Sequence, residues 1–213
     1  AFLSPAPSSA VKRALEQRLQ SVEGFRNPRV DLEQYPTPAG LAAHVVHLAG
    51  LHDDLDRPVL DLGTGTGMLA LGAALADAPR VVGLDVDSNA LAVARENERR
   101  LAPATSVDWV RGDATRPPVA TADATVVMNP PFGAQRGNEH ADRRFLQAAS
   151  RLASVSYSVH NAGSREFVES FAADAGGEVT HAFRAEFELA RQFDFHDADS
   201  KTLDAEVYRI VWA

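Results

Sequence analysis

The chain has no cysteine, which excludes a disulfide framework, a thiol nucleophile and any thiolate metal site. Lysine is nearly as scarce. Only Lys12 and Lys201 occur, and arginine supplies the remaining cations. No apolar run approaches the roughly 20 residues needed to span a bilayer. The histidines are scattered without ligand spacing, so no metal site is expected. The opening stretch Ala1-Phe2-Leu3-Ser4-Pro5-Ala6-Pro7 lacks the basic start and long apolar core of a signal peptide, and a cytoplasmic protein is expected.

What is present is acidic and rich in alanine. The formal net charge is −8, and Asp outnumbers Glu. This pattern fits a high-salt cytoplasm, where carboxylates keep a protein hydrated, and it fits a GC-rich genome equally. Such a balance normally disfavours nucleic acid. In molar salt that argument weakens, because attraction to phosphates is screened for any protein. The length of 213 residues predicts one domain with a substantial core. Residues 1–9 are expected to be disordered, and 10–213 to form the domain.

Strand and helix patterns alternate along the middle of the chain. Helices are expected over Ala10–Val22 and from Pro38 to Leu48, the second with Thr37 as N-cap and Pro38 as first helical residue. Val59–Leu62 reads as a buried strand, followed by a glycine turn and a helix from Met68 to about Ala78. Val81–Asp85 is a second strand, and Ser88 is expected to cap a helix to Leu101. Val107–Val110 alternates like an edge strand bearing an exposed Trp109. Asp123–Met128 is the next strand, and a helix covers Glu139–Leu152. Val155–Val159, Glu178–Ala185 and Ala205–Trp212 complete the strands, with a helix over Arg165–Ala175. Glu186–Asp204 is expected to be a polar loop carrying Phe187, Phe193 and Phe195. The order implies an α/β fold: a Rossmann-like, doubly wound, seven-stranded, mostly parallel sheet with one antiparallel strand.

Two stretches carry chemistry. The first is Asn129-Pro130-Pro131-Phe132, which ends the Val126-Val127-Met128 run. Two prolines cannot donate to a ladder, so they stop the strand and fix the backbone. The Asn129 amide and the Pro130 carbonyl then project where α/β sheets bind ligands. Two oxygens side by side can accept both hydrogens of a planar –NH2 group and free its lone pair for attack. Phe132 offers a ring on which a flat base can stack.

The second stretch is Asp61-Leu62-Gly63-Thr64-Gly65-Thr66-Gly67. Its G-x-G-x-G spacing differs from the G-x-G-x-x-G of dinucleotide enzymes, and no phosphate-loop lysine follows. Asp85, ending the second strand, suits two ribose hydroxyls. Asp113, after the third, can accept from an adenine amine. An adenosine without phosphates describes S-adenosylmethionine, with Asp61 near its α-ammonium end. Thr64, Val86 and Ala114 are counted in the same cofactor site. Gln34, Tyr35 and Thr37, among N-terminal helices spanning residues 10–50, fit either a cover over this site or the start of a capped surface helix. Strand-end turn residues alone would also explain Asp85 and Asp113, but the ordered set favours the cofactor.

On these residues the chain resembles the Rossmann-like class I methyltransferases. Within them it is most similar to the small archaeal and eukaryotic N6-adenine methyltransferases of small-subunit ribosomal RNA. The likeness rests on Leu32-Glu33-Gln34-Tyr35-Pro36-Thr37, Asp61-Leu62-Gly63-Thr64-Gly65, Asp85-Val86-Asp87, Asn129-Pro130-Pro131-Phe132-Gly133, Tyr157-Ser158-Val159-His160 and Phe195-His196. It implies that Gln34 and Thr37 help hold the cofactor alongside Asp85 and Asp113. It also implies a small zinc-binding activator subunit docked on a sheet edge, for which Val107–Val110 is the candidate. After Phe195-His196 the family tends to carry several lysines, whereas this chain has Asp197-Ala198-Asp199-Ser200-Lys201. Methylation of guanine N2 or of a protein glutamine amide uses similar motifs. A silent cofactor-binding subunit is disfavoured by the intact Asn129–Phe132 motif, and an NAD-dependent oxidoreductase by the glycine spacing.

Overall fold

The computed structural model describes residues 8–121, 123–131, 141–190 and 200–213. Its elements, in chain order, are α1 (Ser8–Leu19), α2 (Ala39–Leu51), β1 (Val59–Leu62), α3 (Met68–Leu75), β2 (Val81–Asp85) and α4 (Ser88–Leu101). They continue with β3 (Val107–Arg111), β4 (Ala124–Met128), α5 (Ala141–Leu152), β5 (Ala153–Asn161), α6 (Arg165–Asp174), β6 (Gly177–Ala190) and β7 (Ser200–Trp212). The seven strands form one sheet in the order β3-β2-β1-β4-β5-β7-β6. β7 runs antiparallel to both its neighbours, β5 and β6, and the pairs from β3 to β5 are parallel. The architecture is the expected one.

The three central strands explain the topology. Every residue of β1, β2 and β4 is buried, as a parallel sheet with helices on both faces requires. Alternation divides their side chains between two cores. Val59 and Val81 join α1, α2 and α3 on one face, while Leu60, Leu62, Val82 and Leu84 join α5 and α6 on the other. β3 is the terminal strand on its side of the sheet.

Four local expectations are corrected. Thr37 does not cap α2; Pro38, in an extended conformation, occupies the N-cap, and the helix starts at Ala39. The cap of α4 is Asp87, whose carboxylate accepts from the Asn89 N–H, and Ser88 is the first helical residue. Trp109 is half-buried and turned inward, not exposed on the edge. A methyl group placed on Gly83 would lie 2.5 Å from its ring, and the indole N–H donates to Glu98 at 2.7 Å. Glycine at position 83 is thus the space the indole fills. Finally, the stretch expected as a long polar loop is sheet over its described residues, 186–190 and 200–204. The β6–β7 ladder continues from Ala185↔Ala205 to Ala190↔Ser200, whereas the β5–β7 ladder stops at Asn161↔Ala205. A two-stranded arm therefore extends past the carboxyl end of β5. The pairing rests on the register of two strands distant in sequence, and polar composition alone gives no sign of it. Phe193, Phe195 and His196 lie outside the described residues.

A buried network ties the last strands to the first. Asp54 is 3 % exposed. Its carboxylate accepts two bonds from Arg209, at 2.8 and 3.0 Å, and one from the Tyr157 hydroxyl. Among the described residues no helix is long and apolar enough to cross a membrane.

Candidate active site

The site lies at the carboxyl ends of β1, β2, β3 and β4, where a cavity of about 700 Å³ opens. Gln34, Tyr35, Gly63, Gly65, Asp85, Val86, Asp113, Ala114, Asn129 and Pro131 all reach its wall. A narrow adjoining cavity is walled by Thr37, Asp61, Thr64 and Asn129. The expected residues come from five separate stretches, and the sheet brings nearly all of them together.

The glycine turn leaves β1 with Gly63, Gly65 and Gly67 at φ 73°, 55° and 93°, a region that disfavours any side chain. Space gives a second reason. A methyl group at Gly63 would stand 3.1 Å from Phe145, one at Gly65 2.8 Å from Phe25, and one at Gly67 2.7 Å from Trp109. Gly63 and Gly65 line the cavity, and Gly67 packs against Trp109 and Leu71. Thr64 donates to Asp61 at 2.6 Å, and the Ala70 N–H at the start of α3 donates to the same oxygen at 2.9 Å. The other oxygen of Asp61, Oδ1, is buried and has no partner. Burial, with Asp85 nearby, pushes the Asp61 carboxyl up to about 7, against the two bonds that favour its charge.

Asp85 closes the turn onto β2. One oxygen accepts from Gly65 N–H and the other from Asp87 N–H, each at 2.8 Å. Burial raises its pKa above the ordinary carboxylate value. Each oxygen keeps a further lone pair for a ligand. Asp113 is exposed and accepts from the N–H and hydroxyl of Thr115, at 2.8 and 2.7 Å, which fixes its carboxylate at the cavity mouth.

The segment between α1 and α2 forms the roof. A short 3-10 turn over Val30–Leu32 ends at Glu33, held at φ 49°, and this bend sends Gln34 inward. Gln34 is 6 % exposed. Its oxygen accepts from Arg29 N–H at 2.8 Å and its amide donates to Asp87 at 2.8 Å. Both ends are thus committed to the protein, so Gln34 fastens the roof to the end of β2. Asn97 on α4 is a second fastening that the sequence did not disclose. It is fully buried, accepts from Glu23 N–H, and donates to the carbonyls of Glu23 and Thr66. Between these clasps Phe25 sits against Gly65. An asparagine on a helix face otherwise filled by apolar residues was the available signal. Phe25 carried none.

Asn129 follows β4 directly. Its amide N–H donates to the Thr37 hydroxyl at 3.0 Å, while Oδ1 is buried without a partner. Pro130 is buried and Pro131 reaches the cavity wall. Phe132 lies outside the described residues. His160, two residues past the register partner of Met128, is 2 % exposed and bonded to the Ser158 hydroxyl at 2.9 Å. Burial presses its pKa down to about 4, so it is neutral near pH 7 and packs against Tyr208.

The donor set fits an adenosine-bearing sulfonium ligand. It offers a glycine cradle, carboxylates able to accept from hydroxyls and an amine, and two orphaned buried oxygens on residues that line the narrow cavity. A sheet of this order, with a glycine turn after β1 and Asn-Pro-Pro after β4, defines a Rossmann-like, S-adenosylmethionine-dependent class I methyltransferase. The chain belongs to the methyltransferase small domain family, whose family model matches residues 42–156. It is 34 % identical over 203 residues to the rRNA N(6)-adenosine-methyltransferase Mettl5 of Drosophila melanogaster, covering 92 % of this chain and 94 % of that protein. An uncharacterized protein of Methanocaldococcus jannaschii is 35 % identical over 209 residues, 93 % of each chain. Among solved structures, an RNA methyltransferase candidate from Pyrococcus horikoshii superposes with a TM-score of 0.84 at 35 % identity, over 96 % of this chain and 99 % of that one.

Proposed function

We propose that this enzyme transfers a methyl group to the N6 of an adenine in small-subunit ribosomal RNA, in the cytoplasm. The observation that carries the reading is Asn129 Oδ1, a buried acceptor left without a partner at the end of β4. An exocyclic amine entering there would donate to it and, with its second hydrogen, to the Pro130 carbonyl. Both bonds draw the amine out of conjugation with the base and raise its nucleophilicity. S-adenosylmethionine supplies the electrophilic methyl when bound. Asp85 is assigned to its ribose hydroxyls, Asp113 with Ala114 and Val86 to its adenine, and Asp61 with Thr64 to its amino-acid end. Gln34, Tyr35 and Thr37 hold the roof above it.

Catalysis on this reading is positioning and hydrogen bonding. No strong base is required, because the methylated nitrogen is acidic and loses its proton readily. His160, buried and neutral, serves the fold. The target adenine is flipped or already unstacked, with Phe132 assigned as its stacking partner. The names of the relatives support an adenine in ribosomal RNA.

We assign the docking of a small zinc-binding activator subunit to the edge strand β3, along Val107–Val110. Its support is the family and the position of β3 at the end of the sheet. The edge is partly guarded, since Glu98 accepts from Val107 N–H at 2.8 Å and Arg95 reaches the Trp109 carbonyl at 3.5 Å. Strand addition requires those two side chains to swing away.

The deciding experiment is mass analysis of nucleosides from ribosomal RNA methylated in vitro and from cells with and without the gene. N6-methyladenosine that maps to the small subunit and disappears with the gene is the expected result. N2-methylguanosine, or a methylated protein, would replace this reading with one of its rivals.

A further inference from the structure

Each parallel crossover from β1 to β5 carries a helix except one. α3 follows β1, α4 follows β2 and α5 follows β4, but after β3 the described residues 112–121 run as turns and bends. Among the described residues, this connection packs on that face of β2 and β3, with Ala114 and Val119 joining Val82, Leu84 and Val110 in one core. The cavity extends into the gap between the connection and α5, and its outer wall is basic. Arg116 stands on the connection; Arg144 and Arg151, with Gln147 between them, stand on α5. Residues at i, i+3 and i+7 share one stripe of a helix, here about 10 Å long at 1.5 Å per residue. Arg116, Arg144 and Arg151 are exposed. The carboxylates on the same wall are Glu33, Asp85 and Asp113, and the last two are assigned above to the cofactor.

Three arginines lining one cavity is an unusual concentration in a chain of net charge −8. S-adenosylmethionine carries one anionic group, its carboxylate, at the Asp61 end and away from this wall. A wall with three arginines suits an anion of another kind. Pro131 borders the same cavity, so the basic wall begins beside the acceptor site. Planar guanidinium forks match phosphate oxygens.

We infer that Arg116, Arg144 and Arg151 hold the phosphodiester backbone of the RNA strand that delivers the target base, along the groove left by the missing crossover helix. This rests on the RNA reading above. It places RNA contact on the α5 side of the site, independent of the lysine-poor segment 197–201.

The test replaces all three residues (Arg116→Gln, Arg144→Gln, Arg151→Gln) and titrates an oligoribonucleotide that the unaltered enzyme methylates, over a potassium chloride series. Each single-strand phosphate contact contributes about 0.7 to the slope of log K against log salt, so the slope should fall by about 2. KM for RNA should rise, with kcat at saturating RNA and S-adenosylmethionine affinity unchanged. The matching triple lysine variant should keep the slope, and Arg99→Gln on α4 should behave as wild type. An unchanged slope in the glutamine variant overturns the inference, as does a parallel loss of S-adenosylmethionine affinity. If the unaltered enzyme methylates no RNA at all, the function reading falls and takes the track with it. If it does and the slope is unchanged, only the track falls.

Discussion

The side-chain amide of Asn129 donates to the hydroxyl of Thr37 at 3.0 Å, across 92 residues of chain. That bond commits the nitrogen and leaves Oδ1 buried without a partner. A residue that reads as a helix cap thereby orients the amide of the acceptor motif.

Asn129→Ala should lower turnover by about 10²–10³ with little change in S-adenosylmethionine affinity, because the positioned acceptor is lost only in the ternary complex. Thr37→Val should act in the same direction and more weakly, by roughly 3- to 10-fold in kcat for a neutral bond of about 0.5–1.5 kcal/mol. Thr37→Ser should restore it. Single-turnover rates at saturating RNA distinguish the set, and wild-type turnover in Asn129→Ala would remove its assignment.

Asp61 should make cofactor binding pH-dependent. Its carboxyl is held at about 7 in the folded protein against the ordinary value of 3.8. The folded state therefore binds more protons than the unfolded state between these values, and this group's contribution to stability falls as pH rises from about 4 to about 7. An α-ammonium at Oδ1 favours the ionised form. S-adenosylmethionine should thus bind more tightly as pH rises from about 5.5 to 7.5, with proton release below pH 7. Calorimetry in buffers of different ionisation enthalpy measures both. Asp61→Asn should flatten the profile; a profile unchanged by that substitution would assign the pH dependence elsewhere.

Gln34→Ala should raise the KM for S-adenosylmethionine severalfold while leaving kcat nearly intact. Both ends of Gln34 bond to the protein, at Arg29 and Asp87, so its loss loosens the roof without removing an acceptor from the transfer step. Faster hydrogen exchange confined to residues 24–37 would accompany the change. A fall in kcat at unchanged KM would mean that Gln34 touches the reacting groups.

Arg209→Ala should destabilise the fold by about 3 kcal/mol, since it leaves the buried Asp54 carboxylate only the Tyr157 hydroxyl and the more distant Arg57, at 3.8 Å. Denaturant midpoints at fixed salt read this directly. Methyl transfer measured below the transition should be unaffected, because the network lies away from the cavity.

Much of the fold was legible because its signals are local. The apolar runs at Val59–Leu62, Val81–Asp85 and Ala124–Met128 announce strands buried on both faces. The alternation of those strands with 3.6-periodic segments leaves few topologies. The glycine turn, Asp85, Asp113 and Asn129-Pro130-Pro131 were legible too, because each depends on residue type at a strand end. The arm beyond β5 was not. Glu186–Asp204 is polar, and its pairing is made by the register of β6 on β7, a relation between distant residues.

By itself, then, the sequence determined the doubly wound sheet and the ring of residues at its carboxyl edge, since hydrophobic period and backbone-restricting residues act within a few positions. Tertiary structure alone decided which way those residues face. It turned Trp109 inward over Gly83, spent both ends of Gln34 on the roof, and set Thr37 on Asn129. It also left the arginines of α5 and the β3–β4 connection on one wall. Each of these outcomes depends on which distant surface fills a space or satisfies a buried polar atom, and a single sequence does not encode that locally.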